Sequence, residues 1–197
     1  MTLRQWLLRL AYPLYSFITG LTNGRGAVIS NTANTRPNTS LYDLDLILNN
    51  GATLSLSAFR GKKLLFVNTA SDCIYTAQYA ELERMYENCR SELVIVAFPS
   101  NDFNQQEQGT DQEIEDFCKT NFHVAFPIAA KSAVSGKDKN AVYDWLTDPA
   151  KNGWNSRSPD WNFAKYLVDE QGVLSLYLGP AVHPTALFSH IARKSAR

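Results

Sequence analysis

Two short stretches that are apolar at almost every position constrain this chain most. Lys63–Asn68 reads KLLFVN and Leu93–Phe98 reads LVIVAF, each flanked by polar or turn-forming residues. A strand with one face in water alternates polar and apolar side chains. A continuous apolar run of this length belongs instead to a strand covered on both faces. Between the two, Ala77–Cys89 places Tyr79, Leu82, Met85, Tyr86 and Cys89 at helical steps. Strand, helix and strand in that order predict a sheet flanked by helices.

The rest of the pattern extends this unit. LYDLDLILNNGATLSL, from Leu41, holds two alternating runs around Asn49-Asn50-Gly51, and Asn-Gly is a strong hairpin signal. Thr110 and Glu113 form a capping box that opens a helix whose apolar face is Ile114, Phe117, Cys118 and Phe122. Asn140–Leu146 suggests a further helix, Lys165–Tyr177 a hairpin turning at Asp169–Gly172, and Pro184–Lys194 a closing helix. The expected architecture is α/β, a central mixed sheet flanked by helices. The chain has 197 residues, 45% hydrophobic and 19% charged, which is ordinary for one globular domain with a substantial core.

Net charge is +0, from 19 basic and 19 acidic residues, which gives nucleic acid no support as a partner. The charge is unevenly spread. Residues 1–36 contain Arg4, Arg9, Arg25 and Arg36 and no acid, so the remainder carries the compensating excess of acids. Leu3, Leu7, Leu10, Leu14, Phe17 and Leu21 recur at helical spacing, predicting an N-terminal amphipathic helix over 2–21 that Pro13 kinks or restarts. Pro13 and Gly20 leave it too broken to span a bilayer, which takes about 20 apolar residues. It lacks a small-x-small cleavage site, so export is the weaker reading beside a helix lying on a membrane surface or docked on its own domain or a partner. Residues 22–40 are polar and turn-rich and read as a linker. The chain thus divides into 1–36, helix and linker, and 37–197, the main domain.

Cys73, Cys89 and Cys118 form neither a CxxC pair nor a zinc spacing, and an odd, low count suits a reducing compartment, here the cytoplasm. Cys73 falls between the first buried strand and the helix that follows it. Strand ends are where sites lie in open sheets, and a helix N-terminus stabilises a thiolate. The neighbouring Asp72 opposes ionisation unless it is paired or faces solvent. Cys89 is about 13 helical residues further on, about 20 Å, too far for a disulfide with Cys73. It reads as a buried hydrophobe. Cys118, on an apolar helix face, would need local unwinding to reach another sulfur. His123, His183 and His190 read as surface or turn residues, and no metal or cofactor is expected.

Four motifs, NTASDCIYTAQY, VAFPSNDFNQQE, EIEDFCKTNFHVAFP and WNFAKYLVDEQG, occur in the order and spacing of the glutathione peroxidase family. The chain resembles that family from about Leu41 to about Pro184. The resemblance implies a thioredoxin-like fold and reduction of hydrogen peroxide or organic and lipid hydroperoxides by a cysteine or selenocysteine. Cys73 matches the peroxidatic position, and Gln78, Trp161 and Asn162 match the glutamine, tryptophan and asparagine of the family's catalytic tetrad. Cys118 matches the resolving cysteine of the thioredoxin-dependent branch. Ile74, Ala77, Ser100, Asp102 and His123 depart from the usual residues, touching pocket shape more than chemistry. The insertion of tetrameric members is missing between Leu146 and Trp161, implying a monomer or loose dimer.

The residue types suit that chemistry. A thiolate attacks one peroxide oxygen and becomes a sulfenic acid, while two carboxamides and an indole supply N–H donors. Taken singly, Gln78 also reads as a solvated helix residue, Trp161 as a core aromatic and Asn162 as a turn cap. Thioredoxin or glutathione would restore the thiol; no basic cluster marks a glutathione carboxylate site, which favours thioredoxin. Thr76 in place of a second cysteine argues against a general disulfide oxidoreductase. The alternative of a different class is a redox sensor that passes Cys73 oxidation to a partner.

Overall fold

A computed structural model of the chain describes residues 1–22 and 26–191, with side chains of 16–22 left aside. The expected stripe positions Phe17 and Leu21, and residues 192–194 of the closing helix, therefore lie outside what is described at side-chain level or altogether.

The two apolar runs become β4 (Lys63–Thr69) and β5 (Leu93–Pro99), every residue of both buried. They pair in parallel through α2 (Gln78–Cys89), and β4 also pairs antiparallel with β6 (Lys165–Val168). β7 (Leu174–Leu178) and the short β1 (Val28–Ser30) complete a five-stranded mixed sheet in the order β1-β7-β6-β4-β5. Alternation along the strands divides the core in two. Leu65, Val67, Ile95 and Ala97 join one cluster, while Leu64, Phe66, Val94, Val96 and Phe98 join the other. The first core packs under α2 and α3 (Asp111–Phe122), the second under α4 (Ala141–Thr147) and the side of the β2–β3 hairpin (Asp45–Ile47, Thr53–Ser55). Helices on both faces explain why these strands carry no alternation in hydropathy. A single turn, α5 (Pro149–Asn152), follows α4, and α6 (Phe188–Ile191) closes the described chain.

The stretch expected to be a linker contains β1, whose Ile29 lies opposite Tyr177. Three residues carry too little pattern to be read as a strand; it forms because the edge of β7 offers backbone partners. The N-terminal helix, α1 (Leu3–Thr22), continues through Pro13 instead of restarting. Pro13 is exposed, so the lost hydrogen bond falls on the solvent side. Cys89 is half-buried at the end of α2, at the margin of the core instead of within it.

α3 carries the predicted capping box: Thr110 Oγ1 accepts from Glu113 N at 3.3 Å, and Glu113 Oε2 accepts from Thr110 N at 2.8 Å. It ends at His123, which is left-handed at φ 56° and whose N–H donates to Lys119 O at 3.1 Å. Glycine is the usual occupant of such a position because it has no β-carbon to clash.

Candidate active site

Strand register brings the functional segments to one end of the sheet. Val67 lies opposite Lys165, and Lys165 opposite Leu178. The chain leaving β4 toward Cys73, the chain entering β6 from Trp161 and Asn162, and the chain leaving β7 at Gly179–Pro180 therefore converge. Thr69 opposite Pro99 adds the loop after β5, which carries Gln106 and Glu107.

Cys73 is 1% exposed and caps the helical turn Ile74–Ala77. Tyr75 N donates to its Sγ at 3.4 Å, and Cys73 N donates to Thr76 Oγ1 at 3.1 Å. An N–H aimed at sulfur favours the thiolate over the thiol. The turn inserts four residues between the sulfur and α2, so Gln78, not Ala77, begins the α-helix. Asp72 is paired: its carboxylate bonds the Arg4 guanidinium of α1, which offsets its repulsion of a thiolate next door.

Asn68, the penultimate residue of β4, fastens the tryptophan segment. Its Nδ2 donates to Trp161 O at 3.0 Å, and its carbonyl accepts from Phe163 N at 2.6 Å. Phe163 is held at φ 69°, a costly conformation for a bulky residue. Its fully buried ring meets Tyr79 edge-on at 5.4 Å, and that packing sustains the strain. Trp161 is half-buried, 6.0 Å between centroids from Phe103. Asn162 is fully buried and donates from Nδ2 to Gln106 Oε1 at 2.9 Å. Gln106 also accepts from Asp72 N, at 3.1 Å on its backbone carbonyl. One glutamine thus bridges the cysteine loop and Asn162.

Gln78 is fully buried, not the solvated helix residue that its position in a sequence also allows. Its Nε2 donates to Pro180 O at 2.8 Å. The same carbonyl accepts from Lys165 Nζ at 3.4 Å, and that ammonium also reaches Phe163 O at 2.9 Å and Val182 O at 2.6 Å. Lys165 therefore clamps the segment after Asn162 to the loop that holds Gln78. Burial pulls its pKa down to about 7, with Glu81 acting against it.

Cys118 is fully buried on the inner face of α3, in the same core as Cys73. Burial, with Glu107 and Glu115 adding and the Tyr79 hydroxyl opposing, pushes its thiol up to about 12. In the folded helix it is a protonated, enclosed group. Glu107 is 1% exposed and accepts from Ser71 N at 2.9 Å and Ser71 Oγ at 3.0 Å. Burial raises its carboxyl to about 7 despite those bonds. A cleft of about 580 Å³, bounded by Arg4, Ser71, Asp72, Gln106, Glu107 and Phe117, opens beside the cysteine loop. Among the described residues no cluster of three or more His, Cys, Asp or Glu could hold a metal ion.

Asn68, Gln106, Glu107 and Lys165 were given no role by sequence reading, although each lies within a motif that carries the resemblance. Arg4 lies outside all of them, and nothing local signals its bond to Asp72.

A buried cysteine caps a helical turn at the end of a central strand in a mixed sheet flanked by helices, the place where a helical N-terminus can favour a thiolate. Comparison with known proteins gives the family. The glutathione peroxidase family model matches residues 41–147. The chain is 36% identical over 155 residues to the glutathione peroxidase homolog BsaA of Bacillus subtilis, covering 78% of this chain and 97% of that relative. It is also 36% identical over 154 residues to the glutathione peroxidase-like peroxiredoxin 2 of Saccharomyces cerevisiae, covering 78% and 95%. Among solved structures, apo Trgpx superposes with a TM-score of 0.61 at 28% identity, covering 78% of this chain and 93% of that one. T. cruzi GPX1 gives 0.57 at 25%, covering 78% and 94%. The chain belongs to the glutathione peroxidase family and is a thiol peroxidase.

Proposed function

We propose that Cys73 is the peroxidatic residue and that Gln78, Trp161 and Asn162 assist it. The Cys73 thiolate attacks one oxygen of a hydroperoxide and the O–O bond breaks. The other oxygen leaves as water or alcohol after taking a proton, and the sulfur, oxidised by two electrons, becomes a sulfenic acid. Each carboxamide carries two N–H donors, and the bonds to Pro180 O and Gln106 Oε1 occupy one each. The second N–H of each, with the indole N–H of Trp161, stabilises the thiolate and the charge that develops as the O–O bond breaks. The convergence of strand ends at Val67, Lys165 and Leu178, locked by Gln106, carries this reading.

Cys118 resolves the sulfenic acid. Its sulfur displaces water from the oxidised Cys73, forming an intramolecular disulfide, and a thioredoxin dithiol, or two glutathione molecules, supplies the two electrons that restore both thiols. Because Cys118 is enclosed, the last turns of α3 open first. The protein works in the cytoplasm on hydrogen peroxide or organic and lipid hydroperoxides, as a monomer or loose dimer. Peroxide consumption with a thioredoxin system tests the scheme. Cys73→Ser abolishes turnover, and Cys118→Ser forms the sulfenic acid but loses thioredoxin-supported cycling. A sulfenic-acid probe that never labels Cys73 refutes the first assignment; full cycling in Cys118→Ser refutes the second.

A further inference from the structure

α1 is apolar on two opposite faces. At about 100° per residue, Leu3, Trp6, Leu7, Leu10 and Leu14 fall within an arc of about 100°. They are 73%, 50%, 52%, 59% and 67% exposed. Tyr12, about 180° from Leu3 on the same wheel, is 5% exposed. Its ring lies 6.3 Å from that of Tyr75 and 5.6 Å from that of His183, and Tyr15 meets Tyr75 at 5.5 Å. The inner face thus rests on the turn that Cys73 caps, while the outer face rests on nothing described.

The charges around the outer stripe decide what covers it. Arg4, whose guanidinium also pairs with Asp72, and Arg9, whose guanidinium lies 5.3 Å from the centroid of the Phe122 ring, stand about 100° and 120° to either side of Leu3, one at each border of the stripe. Residues 1–36 hold four arginines and no acid. A stripe of aliphatic side chains with one tryptophan, on a helix that carries arginines and no acid of its own, is complementary to an anionic lipid surface. No helix among the described residues is long and apolar enough to cross a membrane, so α1 lies along such a surface.

We propose that Leu3, Trp6, Leu7, Leu10 and Leu14 seat the protein on an anionic phospholipid bilayer while the opposite face of α1 stays on the Cys73 turn. This rests on the reading of Cys73 as the reactive thiol and adds a partner to that site. It holds the site within about one helix diameter, 10–12 Å, of the lipid.

Co-sedimentation of the full chain with phosphatidylcholine vesicles, with and without phosphatidylglycerol, tests it. The wild type sediments with the phosphatidylglycerol vesicles, less so at high salt. Leu7→Glu/Leu10→Glu, which alters only outward positions, partitions at least about a hundredfold more weakly. Turnover of a small soluble peroxide is unchanged by the double substitution. A wild type that stays in the supernatant, a double variant that sediments equally, or a wild-type dimer by light scattering that the variant dissolves to monomers each overturns the proposal. A wild type that turns over normally but does not sediment counts against the lipid surface alone, whereas a wild type that sediments without turnover counts against the peroxidase assignment alone.

Discussion

Replacing His123 by glycine changes how readily Cys118 is exposed without touching either sulfur. His123 ends α3 in the left-handed region at φ 56°, ψ 31° and is exposed. That conformation costs a residue with a β-carbon about 1–2 kcal/mol. Glycine removes the cost but loses about 0.5–1 kcal/mol more backbone entropy on folding. The net gain is about 1 kcal/mol, and at about 1.4 kcal/mol per decade it lowers the opened population about fivefold. Opening must break the bonds from His123 N to Lys119 O at 3.1 Å and Val124 N to Cys118 O at 3.3 Å. If resolution requires this opening, His123→Gly forms the Cys73–Cys118 disulfide about fivefold more slowly after one equivalent of peroxide, while sulfenic acid forms at the wild-type rate. Acid quench at set times, alkylation and intact-mass spectrometry separate the two steps. A variant that melts higher yet forms the disulfide at the wild-type rate refutes the gating argument. Thr110→Ala, which removes the cap at the other end for about 1 kcal/mol, locates the opening. It accelerates the step if all of α3 unfolds and leaves it unchanged if only the last turns do.

Other outcomes follow from the buried groups. Glu107 titrates near 7 in the fold against an ordinary 4.5, so the native state holds its proton more tightly. Its contribution is fully present below pH 4.5 and is lost as pH rises through 7, about 3 kcal/mol in all at 1.36 kcal/mol per unit. Urea unfolding from pH 4.5 to 8 should show this fall in wild type and not in Glu107→Gln; parallel curves would reject it. Gln106→Ala cuts the bond to Asn162 but not the backbone bond to Asp72, and lowers kcat/KM for peroxide about tenfold or more with stability little changed. An unaltered kcat/KM would deny Asn162 a role that depends on its orientation. Lys165→Met leaves the Phe163 and Val182 carbonyls without this donor and Pro180 O with Gln78 alone, and it releases the loop holding Gln78; it should lower both the melting temperature and the rate of sulfenic acid formation. A full-rate variant that is merely less stable would make the clamp structural only.

The sheet was legible because its evidence is local. Unbroken apolar runs specify strands covered on both sides, and the Thr110–Glu113 box and Asn50-Gly51 turn each act within four residues. β1 was not legible, since three residues amid polar ones become a strand only when β7 is beside them. Gln78 shows the same division within the site. Its spacing from Cys73 is in the chain, but its burial depends on Pro180 and Lys165, about a hundred residues away along the chain.

By itself the sequence determined the α/β layering, the kinship and the placing of Cys73 between a buried strand and the helix that follows it. The layering and the placing follow from periodicity and short-range order, and the kinship from the resemblance carried by the four motifs. Only the tertiary structure decided that Asp72 is neutralised by Arg4, that Gln106 ties Asn162 to the cysteine loop, and that α1 rests one apolar face on the site and leaves the other uncovered. Each joins positions far apart in the chain, where hydrogen-bond satisfaction and packing act on distance in space and leave no mark in local residue order.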